Sequence, residues 1–334
     1  MHPLLASTLF FFTAVLGCAA ISEVRPPVVV TANTILDDLV RQVGGEQVRT
    51  YCLVQPGTDP HAFEPRPSDV KQLVAADLLV VNGLGLEPAI LKLAQNCGFR
   101  GTIIVATCGL TPRVGFGEDH HHGAGEEDLK TQDHQHPVTP HAGSVSSAQS
   151  QVDNPKSTID VADPHAWQNP LLVAAYITNI RDALALAQPA AANTYRTRAA
   201  AYLEQLVALD RWAREQIDTV PPARRKLVTS HDSLGYFADA YGFETIPVSG
   251  LSSSAEPDAR ALAAIIDLIR HEHVPAVFFE LTTNPKLLRQ IGTDAGVRLA
   301  EPLFTDSLGA PGSGAETYLG LIRTNVTRIV SALK

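Results

Sequence analysis

Three histidines stand alone in this chain, each beside turn residues: His61 in GTDPHAFEP, His165 in ADPHAWQNP and His231 in VTSHDSLGYF. Six others (His120, His121, His122, His134, His136 and His141) crowd into one short acidic tract. Neutral imidazole is the commonest protein ligand for zinc and also suits copper, iron and nickel. The split predicts two kinds of metal site, one assembled by the fold from separated side chains and a looser one made by local crowding. Asp306, in LFTDSLG, would complete the first set, because three nitrogens and one carboxylate oxygen make a tetrahedral shell suited to zinc. On pattern alone Asp306 reads equally well as a helix cap. Glu280, at the end of AVFFE, competes as a ligand or as a partner to one. His271 and His273 flank Glu272 as HEH, which is not the HExxH spacing of a metalloprotease and reads as a solvated helix end.

Residues so far apart can meet only on a scaffold, and the apolar pattern supplies one. Runs at 28–33, 48–54, 78–83 and 102–107 read as strands separated by helices, and the alternation resumes at 226–230, 243–248, 276–280 and 298–304. Such alternation predicts parallel α/β sheets. Helices are expected over 68–76, with Ser68 as cap, over 170–187, and from Pro189 across 191–220 to the stop at Pro221-Pro222. A helix of about thirty residues spans roughly 45 Å, longer than most helices inside one domain, and so reads as a connector. The expected division is a leader at 1–20, an N-terminal α/β lobe at 25–188, a linking helix at 189–220 and a C-terminal α/β lobe at 221–334. His61, His231 and Asp306 each follow a strand, where open α/β sheets collect ligands, and a cleft between the lobes can unite them with His165.

The tract at 115–158 breaks the pattern: it is rich in His, Gly, Ser, Pro, Gln and acids, with too few apolar residues to bury a core. It is expected to be a disordered insertion whose histidines, alternating with Glu118, Asp119, Glu126, Glu127, Asp128 and Asp133, hold metal weakly and exchangeably. The net charge of −9 and the lack of a basic stripe argue against a nucleic-acid partner. The apolar run LLASTLFFFTAVLG is too short to span a bilayer comfortably and reads as an export signal, although no Lys or Arg precedes it. It ends in Val15-Leu16-Gly17-Cys18, which resembles a bacterial lipobox and would make Cys18 the lipidated first residue; the alternative is a plain signal peptide cut near Ala19-Ala20. Either way the protein is expected in the periplasm or at the cell surface, touching the membrane only through a lipid anchor. An oxidising compartment permits a disulfide among Cys52, Cys97 and Cys108, but spacing selects no pair, and no CxxC is present.

The strings PGTDPHAFEPRPSDVKQL, NGLGLEP, DPHAWQNP, SHDSLGYFADAYG, GLSSSAEPDARALAAIIDLIRHEHVPAVFFE and TDSLGAPGSGAETYL together resemble the zinc- and manganese-specific substrate-binding proteins of ABC importers, several first called adhesins. The likeness runs from about Val28 to the C-terminus. It implies two α/β lobes joined by one long rigid helix, a metal site in the interlobe cleft, a monomer, and a membrane permease as partner. It also places His61, His165, His231 and Asp306 on the family's four ligand positions. Members that take manganese or iron resemble this chain but carry a carboxylate where it has His231; imidazole there moves the site towards zinc. The expected role is capture of Zn2+ and its delivery to the permease, without catalysis. A manganese or iron receptor is the alternative, and a zinc hydrolase using Glu280 as general base is the remaining class.

Overall fold

The structure, a computed structural model, describes residues 25–115, 161–250 and 258–334. The leader with Cys18, all six clustered histidines and the stretch 251–257 lie outside the described residues.

Among the described residues, eight short strands make two parallel four-stranded sheets. The first contains β1 (Val28–Thr31), β2 (Arg49–Cys52), β3 (Leu78–Val81) and β4 (Thr102–Val105) in the order β2-β1-β3-β4. The second repeats that order as β6-β5-β7-β8, from β5 (Lys226–Thr229), β6 (Glu244–Pro247), β7 (Ala276–Phe278) and β8 (Arg298–Leu299). In each sheet the strand order reverses beside its first strand, which opens a crevice past the carboxyl ends of β1 and β3 and of β5 and β7.

The connecting helices follow the apolar spacing. Helix α1 (Thr34–Gly44) starts where Asn33 accepts from Leu36 N at 3.0 Å and stops at Gly45, whose φ of 54° favours glycine. It buries Ile35, Leu36, Leu39, Val40 and Val43 on one face. Helix α2 (Pro67–Ala75) corrects the expected start at Ser68. Proline takes the first helical position, where its missing N–H costs nothing, and Arg66 N donates to Asp69 Oδ2 at 2.8 Å. Helices α3 (Pro88–Asn96) and α4 (Val173–Ala187) complete the first lobe. In the second lobe lie α6 (Gly235–Tyr241), α7 (Ala259–His271), α8 (Lys286–Ala295) and α9 (Tyr318–Leu333). The strand expected over 298–304 shrinks to two residues, after which the chain rejoins the sheet only through a parallel bridge between Glu280 and Leu303. Pro302, which has no N–H for a ladder, lies within the lost part.

Helix α5 (Ala192–Ile217) is 26 residues long, roughly 39 Å at 1.5 Å per residue. It is more than a connector. Tyr195, Ala199, Tyr202, Leu206, Leu209, Ala213 and Ile217 recur at helical spacing and are buried against α1, α4 and α9. One apolar core therefore runs from the first sheet through α5 and α9 to Leu227, Phe278 and Leu303 in the second lobe, with a smaller cluster around Ile265, Ile269, Leu288 and Ile291 of α7 and α8. Cys52, Cys97 and Cys108 are free thiols, and burial pushes the Cys52 thiol up to about 12, far from a reactive thiolate.

Candidate metal centre

The four side chains singled out in the sequence sit on short segments between the regular elements, and His61 and His165 are each braced by a nearby aspartate. His61 lies on a single 3-10 turn, Pro60–Ala62, whose first N–H groups are met by Asp59: its Oδ1 accepts from His61 N at 2.8 Å. His165 opens another such turn, Ala166–Gln168. His231 lies two residues past the end of β5, at the crevice of the second sheet. Asp306 lies three residues past the Glu280–Leu303 bridge. It is not a helix cap, because the next helix starts at Tyr318, where Thr317 accepts from Gly320 N.

The fold brings these four together. One donor atom from each of His61, His165, His231 and Asp306 lies within 4.8 Å of all the others. His61 Nε2 is 3.2 Å from His165 Nε2, His165 Nε2 is 3.4 Å from Asp306 Oδ1, and His231 Nε2 is 3.2 Å from Asp306 Oδ2. A tetrahedral ion with bonds of 2.0–2.1 Å needs donors separated by roughly 3.3–3.4 Å. His165, His231 and Asp306 are buried, while His61, on an exposed loop, is half-buried.

The other nitrogen of each buried imidazole is engaged by a carboxylate. His165 Nδ1 is 2.8 Å from Asp163 Oδ1, which also accepts from His165 N at 2.9 Å. His231 Nδ1 is 2.6 Å from Glu280 Oε2. Glu280 further accepts from His231 N at 3.0 Å, from Ser233 Oγ at 3.2 Å and from Thr305 Oγ1 at 2.7 Å. A carboxylate on Nδ1 keeps a proton on that nitrogen, so that Nε2 is the nitrogen each ring can offer to an ion once its own proton is lost. Both oxygens of Asp306 are buried and find no hydrogen-bond donor apart from the ligand imidazoles, a rare state for a carboxylate. What faces them instead is imidazole nitrogen.

Electrostatics agree with that geometry. Burial alone would raise the Asp306 pKa, but His231 above all, then His165 and His61, hold it well below the usual carboxylate range. For His231 burial disfavours the charged form, yet Glu280 and Asp306 together hold its pKa well above the ordinary histidine value. Burial lowers the pKa of His61, and repulsion from His165 and His231 adds to it while Asp306 acts against it.

Several bonds lock the ligand loops to one another. Trp167 Nε1 and Gln168 Nε2 both donate to Thr305 O, at 2.7 and 2.8 Å, next to Asp306. Gly57 N, in the loop leading to His61, donates to Ser307 Oγ at 2.8 Å. Two groups escaped the sequence reading. Asp163 was visible in DPH but unassigned. The NGLGLEP turn reads as a turn only, yet its Glu87 accepts from Asn82 N and Gly83 N at 2.6 and 3.1 Å, and burial pushes its carboxyl up to about 7. Asn82, so held, donates from Nδ2 to Pro164 O at 2.9 Å and accepts from Tyr176 Oη at 2.7 Å, which anchors the turn that carries His165. His271 is exposed and 3.1 Å from Glu272, apart from the four-residue cluster.

Comparison with known proteins agrees with the geometry. Residues 29–332 match the family described as zinc-uptake complex component A, periplasmic. The manganese-binding lipoprotein MntA of Halalkalibacterium halodurans is 32% identical over 91% of this chain and 88% of its own length. The manganese ABC transporter substrate-binding lipoprotein PsaA of Streptococcus pneumoniae is 26% identical over 98% of each chain. The periplasmic zinc binding protein TroA from Treponema pallidum superposes with a TM-score of 0.75 at 26% identity, covering 92% of this chain and 99% of that one. Family members are transport receptors and not enzymes, so the hydrolase alternative is set aside; Glu280, its candidate base, is already engaged by His231. Relatives are extracytoplasmic lipoproteins, and among the described residues no helix is long and apolar enough to cross a membrane. The chain belongs to the periplasmic zinc-uptake component A family and is a metal-binding receptor of an ABC importer.

Proposed function

We propose that the cargo is Zn2+, held by His61 Nε2, His165 Nε2, His231 Nε2 and one oxygen of Asp306. The observation that carries this reading is the donor set: three imidazole nitrogens around a buried carboxylate that meets no other donor. Nitrogen-rich, four-donor sites favour zinc over manganese, which prefers oxygen ligands at higher coordination. Asp163 and Glu280 act as orienting partners, each fixing the tautomer of one ligand. Four protein donors leave no position for an activated water, which suits capture and release. Half-buried His61 is the ligand best placed to close last over an entering ion and to open first.

A manganese receptor is the second reading, favoured by the names of the relatives MntA and PsaA. Competition calorimetry separates the two. Zinc is expected to bind 1:1 and to resist excess manganese, and Asp306→Ala or His231→Ala to abolish tight binding. His231→Asp should narrow the preference for zinc. Manganese displacing stoichiometric zinc from the parent protein would establish the second reading instead. The six clustered histidines and Cys18 keep the roles expected of them, as weak auxiliary zinc sites and as a lipid attachment. Deleting residues 116–157 should remove weak zinc equivalents and spare the tight one.

A further inference from the structure

One cation next to the centre is used by none of the steps above. Arg113 follows β4, and its backbone is fixed on both sides: Arg113 N donates to Tyr236 Oη at 2.8 Å, and Arg113 O accepts from Asp163 N at 2.8 Å. Tyr236 Oη in turn donates to Asp163 O at 3.1 Å. With its main chain held, the guanidinium reaches three carboxylates in both lobes. Nη1 is 3.3 Å from Asp163 Oδ2 and 3.8 Å from Asp232 Oδ2, and Nε is 3.1 Å from Asp239 Oδ2 on α6.

The positions of those acids give the contact its meaning. Asp163 lies two residues before His165 and uses its other oxygen, Oδ1, to hold that imidazole. Asp232 directly follows His231. Both carboxylates are fully buried, so Arg113 supplies cationic charge to two buried anions that each flank a ligand. Its seat is also shaped for it: a Cβ added at Gly235 would overlap the guanidinium.

We propose that Arg113 is a positioning residue that clamps the lobes together behind the metal centre and thereby sets how long the ion is retained. It touches no proposed ligand. Its effect reaches His165 through Asp163 and the His231 segment through Asp232, with exposed Asp239 as the outer anchor of the fork. The inference rests on the four-residue centre described above.

The test is the rate of zinc release from the full chain, read by stopped flow against a fluorescent chelator, together with the association rate. Loss of a direct partner of a metal ligand costs about 10–100-fold in affinity; Arg113 acts one contact further out, so Arg113→Ala is expected to speed release by at most about tenfold while association stays within about threefold. A role limited to bulk charge would act on association instead, since removing a cation favours an incoming cation. Arg113→Lys keeps the charge but not the fork, so release should stay fast. Asp239→Asn breaks an exposed pair and should speed release about twofold to fourfold. In Arg113→Ala/Asp239→Asn release should be no faster than in Arg113→Ala alone. Release at the parental rate from Arg113→Ala, full rescue by lysine, or multiplying effects in the double variant would each overturn the clamp. Should Arg113→Ala not fold, Arg113→Lys and Asp239→Asn decide the matter by the same criteria. A parent chain that fails to take up one zinc tightly would defeat the metal-site reading and not the clamp.

Discussion

His165 and His231 face the same centre, and each has a carboxylate on Nδ1, but they are held by different means. Asp163 is two residues from His165, and one of its oxygens meets both the backbone N–H and the ring of that residue. The bracket closes within a single turn of chain. Glu280 is 49 residues from His231 and reaches it from the end of the neighbouring strand. That contact exists only once β5 and β7 pair in register, Val228 with Val277 and Thr229 with Phe278. Glu280 also collects Ser233 and Thr305, so it joins three segments of the second lobe. One ligand is thus oriented by local geometry and the other by tertiary assembly.

That contrast can be broken most forcefully at Glu280. Glu280→Gln places an amide where four donors point inward, and loss of a partner of this kind lowers metal affinity by about 10–100-fold. We expect the upper end of that range in zinc calorimetry, with a fall in the melting temperature of the metal-free protein, because buried donors lose their acceptor. Asp163→Asn should weaken zinc by about tenfold, the lower end of the same range, since local chain geometry still aims His165. Equal losses in the two variants would erase the distinction.

The finest probe is protonation. In the metal-free protein His231 is the imidazole whose pKa is raised, with Glu280 and Asp306 overcoming burial. A raised histidine contributes stability that is complete below its unfolded value of about 6.5 and is lost as pH rises through the folded value. Asp306 is depressed, so its contribution is present above about 4 and lost as pH falls through its folded value. The metal-free pair is therefore most stabilising between those limits, while zinc needs the His231 Nε2 lone pair and is displaced as pH falls. Histidine NMR should show His231 protonated at neutral pH, returning towards the ordinary value in Glu280→Gln and unmoved in Asp163→Asn. Melting curves from pH 8 to pH 5 should show the zinc-induced gain shrinking towards acid.

Much of this centre was legible before the fold was known, and the reason is chemical. Lone histidines beside turn residues mark His61, His165 and His231 as candidates, whereas Asp306 reads equally well as a helix cap until the likeness to the metal-receptor strings sets it with them. The alternation of strands and helices also carried through, because the inner strands β1, β3, β5 and β7 are buried on both faces and so read as continuous apolar runs. What stayed hidden was whatever depends on pairing across space. Glu280 could be named as a candidate, but its choice between ligand and orienting partner waits on β7 lying beside β5. Arg113 looks like any exposed cation until Asp163, Asp232 and Asp239 converge on it. The short β8 was hidden for a different reason: RLAEPLF is apolar enough for a strand, and only its proline argues otherwise.

The core that passes through α5 and α9 has a consequence for the life of the protein in its compartment. The two lobes share this buried core, although the second also holds its own smaller cluster, so the opening of one lobe is expected to be coupled to the opening of the other. A ligand that binds only the native state then protects that shared core in both lobes, by about 4.1 kcal/mol when its free concentration is a thousand times its dissociation constant. Proteases act on opened chain, and their access falls in proportion. The amount of receptor surviving at any moment would thus register how much metal the surroundings supply, with no sensor beyond the fold itself.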